Sequence, residues 1–307
     1  SVSPTSGQVG TLVTITGARL RGNGNVVTVV ELGGVEAEIQ SEGNEQIIVR
    51  SVGAGGSVRQ RRGDVSSSIR IVSDTGAEIS LDDIWTTLED GTIDVVSPSS
   101  GQIGTKVTIH GARLLGGGAS VERVDLAGVT AQLVSASDDV IKIVVARAET
   151  AGAGDIVVTS NTGAIVTGIN AFTYVTEGSV ASIVPAEGQI GTQVVIEGSG
   201  LRGGGFRIVQ VILDGTSVPE ITSESDTSML VVVDHAAPSD SAGDVVLRAD
   251  TGAVVTQADG WSYLERGSVS SVFPATGQFD TRVTVNGERL RGGGDHVAKV
   301  LIGANEA

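Results

Sequence analysis

The sequence predicts an all-β protein built from tandem copies of one small domain. A phrase of about ten residues recurs four times, and its prolines, Pro4, Pro98, Pro185 and Pro274, lie 94, 87 and 89 residues apart. Within each copy, short runs of Val, Ile and Thr alternate with turn residues at spacings of roughly 8 to 12 residues, the pattern of β-strands. No window keeps a 3.6-residue period over a dozen residues, so helices are not expected. A period near 90 residues allows each copy to bury its own core, unlike a solenoid repeat.

The recurring residues of each copy predict successive strands and turns. The proline is expected to open an edge strand, because it has no N–H for a β-ladder. Gly7-Gln8 and its counterparts form a turn, a strand follows, and a glycine-rich loop comes after that strand. Later in each copy a Thr-Gly dipeptide indicates a hairpin turn, and an aromatic strand closes the copy. These dipeptides are Thr75-Gly76, Thr162-Gly163 and Thr251-Gly252, and the aromatic residues are Trp85, Phe172, Tyr174, Trp261 and Tyr263.

The junctions between copies are short. Ten residues separate Tyr174 from Pro185, and ten separate Tyr263 from Pro274. With so little slack, consecutive domains are expected to touch and to form a stiff, rod-like array. The junction at 87–94 is longer and acidic, and is expected to bend more.

The repeat sets the expected domain limits at residues 1–90, 91–177, 178–266 and 267–307. The fourth copy ends at Ala307, about half-way through the repeating pattern. Half a sandwich leaves open sheet edges. Either the natural chain continues or another molecule supplies the missing strands, and continuation is the favoured expectation.

Composition and charge exclude several functional classes. The chain has 36 acidic and 20 basic residues, a net charge of −16, which disfavours contact with the phosphates of nucleic acid. It has no cysteine, so it cannot form disulfides or thiolate metal sites. No apolar run approaches the ~20 residues of a membrane span, and direct membrane insertion of this segment is not expected.

No residue cluster predicts catalysis, a cofactor or a metal. The loops at 116–118 and 203–205 lack the Lys-Ser/Thr of a phosphate-binding loop, and are interpreted as strand connections that need positive φ. The three histidines, His110, His235 and His296, occupy different repeat positions and cannot converge within one domain. Several acidic residues are candidate calcium ligands, but no acidic cluster recurs at corresponding junctions, so a solvated acidic surface is the favoured interpretation. These candidates are Asp82-Asp83, Glu89-Asp90, Asp138-Asp139, Asp214 and Glu177.

The most unusual local feature is a basic cluster on this acidic chain. Arg59, Arg61 and Arg62 fall within four residues of an enlarged loop in the first copy. Three interpretations remain open: a solvated loop, a docking patch for an acidic surface of a neighbouring chain, and a target for a protease specific for basic sites.

These motifs resemble the IPT/TIG family of immunoglobulin-like domains. Its pattern is a V-x-P-x-x-G start, then G-T-x-V-T-I-x-G-x-x-L, a V-x-L-G-G strand and an aromatic last strand. The fourth copy follows the pattern but has Asp280 where the others have glycine. The resemblance implies a seven-stranded, two-sheet sandwich in each copy. The matching segments are Val2–Leu20 with Val30–Gly34, Val95–Leu114 with Val124–Gly128, and Ile183–Leu201 with Val211–Gly215.

The resemblance leaves several functions open, because a fold does not select one. The leading hypothesis is a non-catalytic structural or adhesive protein, extracellular or on the cell surface, that forms part of a rod or filament. Its partners would then be copies of itself or neighbouring chains. The alternative is the ligand- or carbohydrate-binding ectodomain of a receptor, with glycans as possible partners. Exposed aromatic platforms for sugars are expected to be missing, because Trp85 and Trp261 are assigned to cores. An accessory region of an enzyme would need a catalytic domain elsewhere.

Overall fold

The computed structural model describes residues 1–53, 65–234, 236–303 and 305–306. Every regular element in these ranges is a β-strand, which confirms the predicted all-β fold. The chain divides into two compact units, Ser1–Val175 and Thr176–Ala307. The first unit holds two β-sandwiches. The second holds a third sandwich and the strands of the fourth copy.

The first sandwich has a four-stranded sheet in the order β1-β3-β7-β6 and a five-stranded sheet in the order β2-β9-β8-β4-β5. Its strands are β1 (Val2–Ser3), β2 (Ser6–Gly7), β3 (Leu12–Thr16), β4 (Val27–Leu32), β5 (Val35–Glu36), β6 (Glu38–Ser41), β7 (Gln46–Arg50), β8 (Val65–Ser73) and β9 (Glu78–Thr87).

The second sandwich repeats this topology, with sheets β10-β12-β16-β15 and β11-β18-β17-β13-β14. Its strands are β10 (Thr92–Ser97), β11 (Ser100–Gly101), β12 (Lys106–Ala112), β13 (Val121–Leu126), β14 (Val129–Thr130), β15 (Gln132–Ala136), β16 (Val140–Val144), β17 (Gly152–Ser160) and β18 (Ile165–Tyr174).

The third sandwich has the same order again, β19-β21-β25-β24 and β20-β27-β26-β22-β23, while the fourth copy has only the pairs β28-β29 and β30-β31 among the described residues. The strands of the second unit are β19 (Ser179–Val184), β20 (Glu187–Gly188), β21 (Gln193–Ser199), β22 (Ile208–Leu213), β23 (Thr216–Ser217), β24 (Glu220–Glu224), β25 (Ser228–Val232), β26 (Gly243–Ala249), β27 (Val254–Tyr263), β28 (Ser268–Phe273), β29 (Thr284–Glu288), β30 (Leu301–Ile302) and β31 (Asn305–Glu306).

Alternation along the strands gives each sandwich its own core. On β12, Val107 and Ile109 are fully buried while Lys106 and His110 are exposed, because successive side chains point to opposite faces of a sheet. Each sandwich has its own cluster of buried residues, and the three clusters share no member. The expected burial of the tryptophans is confirmed.

The repeated prolines have a different role from the expected one. Pro4 lies between β1, which pairs with β3 in one sheet, and β2, which pairs in parallel with β9 in the other. The proline therefore lies where the chain changes sheets, and its Ser3–Pro4 peptide bond is cis. Because of this change of sheet, β1 and β2 are two parts of one edge segment. The first sandwich therefore has nine strands where the resemblance implies seven, and the two additional strands are the two-residue β2 and β5.

A half-buried ion pair fastens the glycine-rich loop in the first and third sandwiches. Arg21 contacts Glu42 at 2.8 Å, and Arg202 contacts Glu224 at 2.9 Å. Hydrogen bonds from these arginines hold the pKa of both carboxyls below their ordinary value, against a smaller opposing effect of desolvation. In the second sandwich the corresponding positions carry the apolar Leu115 and Ala136.

We expect the first and third sandwiches to lose stability on acidification more than the second. A lowered folded pKa means that the stabilising contribution is present above the unfolded pKa and is lost as the pH falls through the folded pKa. Hydrogen exchange of each sandwich, compared between neutral pH and about pH 3, measures this difference. The variant R21L/E42A, which copies Leu115 and Ala136, should reduce the acid sensitivity of the first sandwich. Unchanged sensitivity would contradict the assignment.

Candidate functional site

A buried glutamine side chain connects the first sandwich to the second. Gln8 follows strand β2 in the turn at the end of the first sandwich, and its side chain is 2% exposed. Its Oε1 accepts a hydrogen bond of 2.8 Å from the backbone N–H of Gly91. Its Nε2 donates one of 3.2 Å to the carbonyl oxygen of Ile165, on strand β18. One side-chain amide therefore satisfies a donor and an acceptor of the next sandwich.

The turn around Gln8 is itself fixed within the first sandwich. The carbonyl oxygen of Gln8 accepts hydrogen bonds from the hydroxyl of Thr11, at 2.8 Å, and from the hydroxyl of Ser51. The N–H of Gly10 donates to the carbonyl oxygen of Ser51 at 2.9 Å. The glutamine thus reaches the second sandwich from a rigid base.

Backbone hydrogen bonds join the two sandwiches directly beside this glutamine. The N–H of Leu12 donates to the carbonyl of Thr162 at 2.8 Å, and the N–H of Ile165 donates to the carbonyl of Val9 at 2.9 Å. In the second sandwich, Thr162 belongs to the Thr-Gly hairpin and Ile165 is the first residue of β18. The contact resembles a short piece of β-ladder between domains, which fixes orientation as well as distance.

Two glycines allow the backbones to come this close. A Cβ added at Gly10 would lie 2.8 Å from the carbonyl oxygen of Gly163, and one added at Gly163 would lie 3.0 Å from the side chain of Leu12. Their φ angles, +88° and +83°, are also in the region that favours glycine. Larger residues at either position would push the sandwiches apart.

Charged side chains fasten the connecting segment. The guanidinium of Arg113 donates to the carbonyl oxygen of Asp90 at 3.0 and 3.1 Å and forms an ion pair with Glu89 at 3.5 Å. The carboxylate of Asp90 accepts the N–H of Val9 at 3.3 Å. The acidic residues that were expected to let this junction bend are therefore engaged in contacts that hold it.

The second unit repeats part of this joint between the third sandwich and the fourth copy. Oε1 of Gln189 accepts the N–H of Gly267 at 2.9 Å, as Gln8 accepts that of Gly91. Arg289 takes the place of Arg113: it donates to the carbonyl of Arg266 at 3.1 Å and contacts Glu265 at 2.9 Å. The same atoms thus meet at two junctions with different linker sequences.

The residues that the sequence marks as candidate sites form no site in the described part of the chain. Arg59, Arg61 and Arg62 lie outside the described residues, as does His235. His110 is exposed on β12, and no group of three or more described His, Asp or Glu residues is placed to hold a metal ion. Positive φ at Gly116 confirms the interpretation of the glycine-rich loops as connections. Among the described residues, no helix could cross a membrane.

Sequence reasoning missed two residues. The sequence places Gln8 in a turn and does not show its partners, although the glutamine recurs as Gln102, Gln189 and Gln278. Phe206, in the loop before β22, has 88% of its surface exposed, so the expectation that no aromatic platform would be found does not hold there.

Comparison with protein families finds matches to the model of the IPT/TIG domain at residues 1–77, 92–174 and 179–262. Comparison with curated proteins finds no match.

Solved structures with a similar fold include the extracellular region of plexin A4, at 17% identity and a TM-score of 0.45, covering 91% of this chain and 26% of that one. A second is a Bacteroides ovatus SGBP-B from a mixed-linkage glucan utilization locus, in complex with a mixed-linkage heptasaccharide. It has 15% identity and a TM-score of 0.24, covering 86% of this chain and 66% of that one. A third is described as a putative phosphatase from Bacteroides thetaiotaomicron, at 14% identity and a TM-score of 0.26, covering 55% of this chain and 48% of that one. This chain thus spans about a quarter of the plexin ectodomain.

Proposed function

We propose, from the premise that this chain belongs to the IPT/TIG domain family, that it is a non-catalytic structural or adhesive segment of an extracellular or cell-surface repeat protein. Its task is to hold consecutive sandwiches in a fixed arrangement, so that the array spans distance and presents repeated surfaces. The proposed domains are 1–90, 91–177, 178–266 and the partial 267–307. The proposed partners are protein surfaces, including copies of the same chain.

The observation that carries this proposal is a glutamine side chain that bonds to the next copy at two junctions, buried at Gln8 and partly buried at Gln189. A flexible tether needs solvated, unconstrained residues. Here Gln8 and Gln189 instead place an amide oxygen on the first backbone N–H of the next copy, at 2.8 and 2.9 Å. These hydrogen bonds would break if the domains moved independently, so they favour a fixed arrangement of neighbouring copies.

The described side chains also support a role without catalysis. The large aromatic residues fill cores, as with Trp85 at 1% exposed. In the second sandwich a groove beside 147–153 is lined by Tyr174. Burial raises the pKa of Tyr174, and its hydroxyl is itself buried, so that it is not presented to a bound molecule. A catalytic site needs polar groups that converge from several elements. The other polar side chains that line this groove, Arg147, Glu149 and Thr150, are exposed on a single segment between β16 and β17.

Electron microscopy of the full chain tests the proposal. Averaged images should show the first two sandwiches in a single mutual arrangement in all particles. Particles in which the two sandwiches adopt many different angles would overturn the idea of a rigid spacer.

Phe206 supports a second candidate function, the binding of carbohydrate. An exposed aromatic ring can stack on the apolar face of a sugar, and this ring projects from a loop held by a hydrogen bond from the N–H of Phe206 to Asp250. Screening the chain against a glycan array, with the variant Phe206→Ala as control, tests this candidate. Binding that the variant loses would favour it over a purely structural role.

A further inference from the structure

The outer face of the four-stranded sheet in the second sandwich is basic. The register pairs Lys106 with Val144, Thr108 with Lys142 and His110 with Val140, so Lys106, Lys142 and His110 all point away from the buried Ile109 and its neighbours. The whole chain has only three lysines, and two of them meet on this one face. Neither of the two forms an ion pair with any described residue.

The acidic residues that the strand register places beside this face, among those that the structure describes, lie at one end of it. Asp94 lies at the bulge of β10, and Asp139 directly precedes Val140 on β16, opposite His110. The carboxylate of the adjacent Asp138 accepts the N–H of Leu115 at 3.1 Å and is turned toward that loop. Lys106 and Lys142 occupy the rest of the face, where the neighbouring outward residues are Thr108 and uncharged side chains of β15 and β16.

The same face of the third sandwich is acidic. Glu197, on β21, occupies the position of His110, and Glu220, on β24, occupies the position of Gln132. Both are exposed and accept only long hydrogen bonds from hydroxyls, at 3.4 and 3.5 Å. In the first sandwich this face is neutral, since its Glu38 lies 4.0 Å from Arg50.

Both charged faces also expose apolar side chains from neighbouring strands. Val95 is 55% exposed on the basic face, and Val184 and Val195 are 62% and 38% exposed on the acidic face. Burying such side chains supplies the favourable free energy, while the charges select the partner and the orientation.

From this complementarity we propose that the basic face of the second sandwich binds the acidic face of the third sandwich in another copy of this chain. A chain with a net charge of −16 repels its copies in general, and the lysine-bearing face is where this repulsion is reversed. Each molecule carries both faces, so the contact is heterologous and can add further copies. It requires only the outer sheets and stands independently of the rigid joints.

A single contact of this kind is weak. Four strands spaced by about 4.8 Å, each presenting some five residues at about 3.4 Å, give a face of roughly 300 Å². Stable complexes bury about 800 Å² on each partner. Association is therefore expected at high protein concentration and low salt.

Analytical ultracentrifugation with reversed charges tests the proposal. The unmodified chain should associate at low ionic strength and dissociate as salt is added. The variants K106E/K142E and E197K/E220K should each be monomeric, because their two faces then carry the same sign. An equimolar mixture of the two variants should associate again. The control R282E/R291E makes the same change in net charge at exposed positions of the fourth copy and should associate like the unmodified chain.

Two results would overturn the proposal. One is a chain that stays monomeric at low salt up to millimolar concentration. The other is a mixture of the two variants that stays monomeric although circular dichroism shows both to be folded. Because these readouts concern association alone, a failure here leaves the rigidity of the joints to its own test.

Discussion

Replacing Trp261 by alanine is expected to destabilise the third sandwich by about 3–5 kcal/mol and to leave the first two sandwiches folded. Trp261 is fully buried and packs edge-to-face on Tyr263, with ring centroids 5.7 Å apart. Its removal leaves a large cavity in a core that shares no residue with the other two. Hydrogen exchange followed by mass spectrometry, resolved by domain, measures the effect.

The chain offers a matched control for this substitution. The indole Nε1 of Trp261 has no hydrogen-bond partner among the described residues, and the corresponding residue of the second sandwich is Phe172. Trp261→Phe should therefore cost much less than Trp261→Ala, because it keeps a ring in the core and removes an N–H without an acceptor. Loss of protection in all three sandwiches after Trp261→Ala would show that the copies are not independent modules.

Gln8→Leu is expected to release the joint between the first and second sandwiches without unfolding either. Leucine fills a similar volume but leaves the N–H of Gly91 and the carbonyl of Ile165 without their partner, at about 1–3 kcal/mol for each group. The backbone bonds that fix the turn involve the carbonyl of Gln8 and are unaffected. Faster exchange of the Gly91 amide, with unchanged protection of the core strands, is the expected result.

Gln278→Leu is the control for this variant. Gln278 is the corresponding residue of the fourth copy and is exposed, so its substitution should leave the exchange of Gly91 unchanged. Equal exchange of Gly91 in the Gln8→Leu variant and the unmodified chain would contradict the role of Gln8 as a connector.

The strands could be predicted because their information is local. Alternation such as that of Val107 and Ile109 with exposed neighbours identifies a half-buried strand from a few consecutive residues. The role of Pro4 could not be predicted in the same way. A residue without an N–H fits both the start of an edge strand and a change of sheet, and only the pairing of β2 with β9 distinguishes them.

The sequence predicts that consecutive domains touch, but it could not identify the partners of Gln8, because these are distant in the chain. Gln8 lies 83 residues from Gly91 and 157 from Ile165. A conspicuous local pattern drew attention instead to Arg59, Arg61 and Arg62, which lie outside the described residues and stay a prediction as an interaction patch. The charged faces could not be predicted from sequence, because only the strand register shows that Lys106 and Lys142 lie on the same side of one sheet.

The distance distribution between two spin labels, one in each of the first two sandwiches, measures directly whether the joint between them is rigid. The chain has no cysteine, so cysteines introduced at the exposed Ser41 and Glu122 can be labelled without background. Pulsed electron paramagnetic resonance should find one narrow population of distances in the unmodified chain, because Gln8 and the backbone bonds beside it hold the joint. A broad distribution, as wide as that of two domains on a flexible tether, would show that the joint does not hold the two sandwiches in one arrangement.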